Sequence, residues 1–344
     1  MPSIDYQLAE YSDLFMLLAA FTYTVALLAF AWDLAKSSKT LQAVDRKAAA
    51  QAAPAKKVMA TAGAPTGPAD SNRQWDSSEA VTADDAMGYT GPRRNAARVA
   101  VALTALATLI HAAAVVARGL AAHRVPWGNM YEFCTTGALV VSVIFLLVLL
   151  RRDLRFLGTF VVGLVLIMMM AATIGFPTPV GHLIPALQSY WLIIHVSVAV
   201  IASALFTLTF AMSVLQLLQA DREAKARAGA KERFGFLKIV PSAQSLENFS
   251  YRINAVAFVL WTFTLMAGAV WAEQAWGRYW GWDTKEVWTF VIWVVYAGYL
   301  HARATRGWTG TRAAWLSIVG YLCVVFNFTI VNVYFAGLHS YSGV

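Results

Sequence analysis

The chain has 344 residues, of which 59% are hydrophobic and 13% charged, and its mean hydropathy is +0.56. That balance excludes an ordinary soluble domain, and because the charges cluster between long apolar runs the excess is not one large core either. Cys134 and Cys323 stand far apart inside apolar runs, which leaves no CxxC pair, zinc spacing or disulfide framework.

Stretches of about 18 to 25 mostly apolar residues lie at roughly 13–32, 97–117, 133–150, 156–174, 189–217, 253–272, 285–301 and 313–336. They predict an all-α polytopic membrane protein with about eight transmembrane helices, because lipid gives an open backbone no hydrogen-bond partner. The loops set the direction. If the first span exits to the cytoplasm, all but four of the 27 Lys and Arg fall inside, the four being Arg118, Arg124, Arg278 and Lys285. The asymmetry recurs at the inner turns, with Arg151, Arg152 and Arg155 in one and Arg303, Arg306 and Arg312 in another. Both termini are therefore expected to be extracytoplasmic, in a multi-pass protein of the cell membrane. Topology then accounts for the net charge of +8, and membrane lipid, not nucleic acid, is the expected surrounding.

Residues 1–13 hold three acids and no basic residue, so the first helix, within 1–34, reads as a retained span and not a cleaved signal. Residues 35–96 are rich in Ala, Gly, Pro and Ser with scattered charge, which predicts a disordered cytoplasmic linker. The main membrane domain is 97–344. No internal repeat marks a transporter with inverted halves, and the inner parts of the spans have almost none of the charges that a solute or ion path needs.

Two short segments on the expected outer side, RVPWGNMYEF (124–133) and GFPTPVGHLIPALQSYW (175–191), are Pro-rich and aromatic, which fits ordered loops folded over a site. Glu132, at the head of the third span, is a candidate hydrogen-bond partner for a ligand histidine, or a simple helix cap. Between the sixth and seventh spans stands WAEQAWGRYWGWDTKEVW (271–288), five of whose eighteen residues are tryptophan. An interface belt accounts for one or two of them. The density of indoles, Trp276, Trp280, Trp282 and Trp288 among them, predicts a platform for a flat, hydrophobic, partly polar ligand. Asp283, followed by Glu286 just before the apolar run, has the form of a capping box and so has a structural reading beside a ligand-binding one. Arg278 and Lys285 suit a ligand bearing carboxylates and can equally pair with Glu273 or Glu286.

His195, about two turns into the fifth span, is flanked by apolar residues in QSYWLIIHVSV and needs a partner. His339 follows the last span in YFAGLHSYSGV, on the same expected side. Each can be a hydrogen-bonded structural histidine; together, flanking an aromatic platform, they can supply two axial imidazoles to one haem iron. His301 lies roughly 25 Å from the start of the seventh span at 1.5 Å per residue, near the inner face, and cannot share that iron. A ligand role for it requires a second, inner station. His111 in the second span is the available mate, although its HAAAVV setting reads as a packing face. His123 and His182 read as solvated loop residues.

WGRYWGWDTKEVW, with LQSYWLIIHV upstream and GLHSY near the C-terminus, resembles the CcsA/ResC proteins of system II cytochrome c biogenesis, some of them labelled CcsB, in a haem-handling superfamily marked by a WWD loop. The resemblance covers about 97–344. It implies that haem b is substrate and bound ligand, taken from the cytoplasmic side and held under the WWD loop at 271–288. It further implies covalent attachment of that haem to the CxxCH motif of apocytochrome c at the outer membrane face, the activity of a cytochrome c haem lyase of the holocytochrome c synthase type, working with a ResB-like membrane subunit. By position, His195 and His339 match the two outer haem ligands and His301 the membrane histidine that follows the loop. The second membrane ligand would belong to the ResB-like partner. The alternative is a haem exporter or haem chaperone without ligase activity of its own.

Overall fold

The computed structural model describes residues 3–59, 87–88, 94–183, 185–230, 234–305, 307–335 and 337–339, by backbone alone at 40–59 and 186. The described residues are all-α: α1 (Tyr6–Met59), α2 (Asn95–Ala121), α3 (Met130–Leu149), α4 (Gly158–Met170), α5 (Tyr190–Arg227), α6 (Ala243–Trp276), α7 (Thr284–Thr305), α8 (Thr311–Phe328) and α9 (Ile330–Tyr334), with short tighter or wider turns and no strand. Among them, seven helical stretches are long and apolar enough to cross a membrane.

The stretch left out is α7, with Lys285 and Glu286 at one end and His301 and Arg303 at the other. Its course is nevertheless that of a span. Trp261 Nε1 of α6 donates to the Thr289 carbonyl (3.1 Å) near the start of α7, and Arg303 near its end reaches Asn248 (2.7 Å) and Glu247 (3.2 Å) at the start of α6. The two helices therefore run antiparallel over their shared length. With 22 residues, α7 is about 33 Å long, against a hydrocarbon core about 30 Å thick. The eighth expected helix is thus present in length and course, with polar ends that lower its hydropathy.

Small residues let α1 and α2 approach closely. Ala100, Ala107, Ala114 and Ala121 recur at every seventh position of α2 and are fully buried, as are Ala19, Tyr23 and Ala26 of α1; this is the small-residue seam by which membrane helices pack without a hydrophobic driving force. Polar groups inside the seam satisfy one another. Tyr23 Oη meets Thr108 (3.1 Å) and Ser142 (2.9 Å), whose hydroxyls meet at 2.7 Å. A second core joins α5, α6, α7 and α8 through Phe206, Trp261, Tyr296 and Tyr299. It lies directly beneath the candidate site.

Residues 35–96 depart from the expectation of an unstructured linker where they are described. The helix α1 continues to Met59, Met87 is buried in the first core, and Asp33 and Arg94 form a buried ion pair that closes α1 onto the start of α2. Ala-rich sequence favours helix wherever it is not interrupted, and α1 extends through the Ala-rich run at 48–53. Residues 60–86 and 89–93 of the expected linker lie outside the described residues.

Candidate functional site

The start of α1 bonds the end of α2, since Asp5 N–H donates to the Ala121 carbonyl (3.0 Å), and α3, α5 and α7 begin at this same end of the bundle. Here the second core opens into a cavity of about 150 Å³. Its lining, aromatic walls with a few polar groups, is of the kind that binds small molecules and cofactors. Phe133, Trp261, Trp271, Trp280 and Phe328 supply aromatic walls, and His195, His339, Lys285 and Asn332 supply polar groups.

The two histidines are held alike although they come from opposite ends of the sequence. His195 Nδ1 lies 2.9 Å from the Thr264 carbonyl of α6. A carbonyl only accepts, so Nδ1 carries the proton and Nε2 keeps its lone pair. Gly268 makes room for this ring, because a Cβ there would lie 2.7 Å from His195 Cε1 and 2.9 Å from Nδ1. His339 Nδ1 lies 3.2 Å from Asp283 Oδ1, which again places the proton on Nδ1 and leaves Nε2 available. Trp271 contacts both rings, stacked on His195 at 6.0 Å and 12° and edge-on to His339 at 5.6 Å.

Asp283 forms the capping box that its sequence suggested. Its carboxylate caps α7 by accepting the Lys285 backbone N–H (2.9 Å), and Glu286 returns the capping-box bond from the Asp283 N–H (3.0 Å). It also accepts the Leu338 N–H (2.8 Å) and orients His339. The His339 hydrogen bond, helped by the backbone N–H groups of Lys285 and Leu338, holds the Asp283 carboxyl down at about 2. A side chain at Gly337 would collide with this carboxylate. Glu286 stiffens the loop from below, since it takes the Gly281 N–H (2.8 Å) as well and pairs with Arg278 (3.2 Å). Between those anchors Trp282 adopts φ +60°, a conformation that costs energy for any residue but glycine and persists where surrounding bonds over-determine it.

The tryptophan platform is smaller than the sequence suggested. Trp280 lines the cavity, and Trp276 backs it, packing on Trp271 (4.7 Å) and His339 (4.8 Å). Trp282 points outward and is 73% exposed, and Trp288 turns to Phe326 of α8 (4.3 Å), so neither forms the cavity wall. The strained backbone turns the first away, and the helical phase of α7, which aims Lys285 and Thr289 at the cavity, turns the second. Trp261, a buried residue of α6, is a wall that no motif announced.

His301 is exposed near the far end of α7, and His111 is buried against Tyr23 in the other core (5.9 Å). The described residues bring no second histidine to His301 and contain no cluster of three His, Cys, Asp or Glu able to hold a bare metal ion. Glu132 takes part in the cap of α3: its carboxylate accepts the Gly128 N–H (2.8 Å) while Asn129 Oδ1 accepts the Glu132 N–H (2.9 Å), and its ion pairs are with arginines. Glu132 is fully buried between Arg118 (3.0 Å) and Arg124 (2.7 Å), and these arginines also bond the Thr178 and Gly181 carbonyls. Both aromatic loops are thereby pinned beside the cavity.

Residues 127–339, which include the whole site, match the protein family described as Cytochrome C assembly protein. The chain is 34% identical to the Cytochrome c biogenesis protein CcsA of Heterosigma akashiwo, with 63% of this chain and 76% of that one covered. It is 37% identical to the protein of that name from Guillardia theta, over the same shares, and 32% identical to that of a Synechococcus species, over 73% and 86%.

Exchanging Glu132 for Gln leaves two buried or nearly buried arginines facing one neutral amide. The expected loss is about 3–5 kcal/mol of stability, the usual cost of removing one partner from a buried pair. It should appear as a strongly lowered melting temperature in detergent, and an unchanged melt would show that the arginines are solvated.

Proposed function

Because this chain belongs to the cytochrome C assembly protein family, and so takes part in cytochrome c biogenesis, we propose that it holds haem b at the outer face of the cell membrane and, with a ResB-like subunit, attaches it to the CxxCH motif of apocytochrome c. One observation carries this reading. Two imidazoles line one aromatic-walled cavity, and each has Nδ1 engaged by an acceptor so that Nε2 is free to ligate. A porphyrin brings four nitrogens of its own, so His195 and His339 would hold its iron without a third protein ligand.

Thioether formation adds each thiol S–H across one vinyl double bond of haem, sulfur to one carbon and proton to the other. Sulfur, vinyl and iron all come from the substrates. This chain contributes position and exclusion of water; Cys134 and Cys323 do not line the cavity. Asp283 keeps His339 in the ligating tautomer, Trp276 and Trp280 fix the loop around it, and the exposed His301 fits an inner station that the ResB-like subunit completes. The outer placement draws support from the basic residues. Arg118, Arg124, Arg278 and Lys285 are the four of the 27 Lys and Arg that fall to the cavity side in the expected topology, and the remainder fall to the opposite one.

A reporter active only outside should work when inserted between Trp276 and Trp282; activity there of a cytoplasm-only reporter would reverse the orientation. In reconstitution, covalent holocytochrome should form only when this chain, a ResB-like subunit and apocytochrome are together. Attachment by the partner alone from externally supplied haem would leave this chain an exporter or chaperone and end the lyase reading.

A further inference from the structure

Three of the four basic residues predicted for the outer side have a carboxylate: Arg118 and Arg124 share Glu132, and Arg278 has Glu286. Lys285 has none within ion-pair distance among the described residues. Its Nζ donates to two neutral acceptors, the Asn327 carbonyl and Asn332 Oδ1, each at 3.0 Å, and sits 4.7 Å from the Phe328 ring. The neighbouring acids are already spent, Asp283 on His339 and two backbone N–H groups, Glu286 on Arg278 and two more. An ammonium has three donors. Two are used, and Lys285 lines the cavity. The side chain thus bonds only neutral acceptors, Asp283 acting on it as a nearby charge without an ion-pair contact, and a carboxylate arriving with the ligand would compensate it more closely.

On the reading that the cavity holds haem, we propose that Lys285 binds a propionate carboxylate of the porphyrin, so that the site selects macrocycles with free acid groups and seats their acid edge at the start of α7. In haem b the vinyl groups stand on the edge opposite the propionates. Holding the acid edge at Lys285 therefore turns the vinyl edge toward the other side of the cavity, where thiols must reach it.

The test uses the purified full chain in detergent. Binding of metal-free protoporphyrin and of its dimethyl ester is read by quenching of tryptophan fluorescence, which needs no iron ligation. The wild type should bind the free acid at least about tenfold more tightly than the diester, the size of one charge-assisted hydrogen bond. Lys285→Met should bring that ratio close to one, and Lys285→Arg should preserve most of it. Equal affinity of the wild type for acid and ester overturns the proposal whether or not the variants fold, and so does a Lys285→Met protein that keeps the wild-type ratio. Haem and its dimethyl ester, compared by optical spectra, then judge the iron reading separately. A low-spin six-coordinate spectrum with both, combined with equal affinities, would dismiss Lys285 while leaving His195 and His339 as ligands; a preference for the acid without such a spectrum would do the reverse.

Discussion

The carboxylate of Asp283 joins two distant parts of the chain: the start of α7 through the Lys285 N–H, and the C-terminal segment through the Leu338 N–H and the imidazole of His339. The capping of a helix and the aiming of a histidine are therefore one interaction. Whatever fixes the direction of α7 also fixes where His339 presents Nε2.

The same economy recurs wherever an acid is buried. Glu286 takes the Gly281 and Asp283 N–H groups and Arg278, Glu132 takes two arginines and the Gly128 N–H, and Glu247 takes Arg303 and the Gly310 N–H. Each stands near a helix end and ties a loop to it. A bilayer forbids irregular backbone unless it is buried in protein and satisfied there, and these carboxylates satisfy loop backbone at both ends of the bundle, Glu132 and Glu286 beside the cavity and Glu247 at the opposite end. Rigidity follows, and rigidity is what a binding site for a flat macrocycle needs if its reactive edge is to be presented in one orientation.

How much of this was legible in the sequence depends on the range of the interaction. The spans were legible because lipid imposes length and apolarity on each helix separately, and the capping box because it is local, Asp283 to Glu286. The pairing of His339 with Asp283 crosses 56 positions and left no local trace, and the embrace of Glu132 by Arg118 and Arg124 depends on how a loop folds back. Counting tryptophans could not tell which indoles face the cavity, since the direction of Trp282 follows from a positive φ and that of Trp288 from the phase of α7 against α8. Composition misjudged 35–59, where helix propensity outweighs low complexity, and it carried no sign that Met87 docks into the core.

The central claim is that His195 and His339 ligate one iron, and the most direct measurement is the optical spectrum of the haem-loaded chain with either residue replaced by Gly. Each variant should lose the six-coordinate low-spin spectrum, and added imidazole, entering the space the ring vacated, should restore it in part. A histidine engaged only in packing would gain nothing from a diffusing ring. Full haem content with an unchanged low-spin spectrum in both variants, without imidazole, would contradict the claim and leave the aromatic cavity to a ligand that is not held through iron.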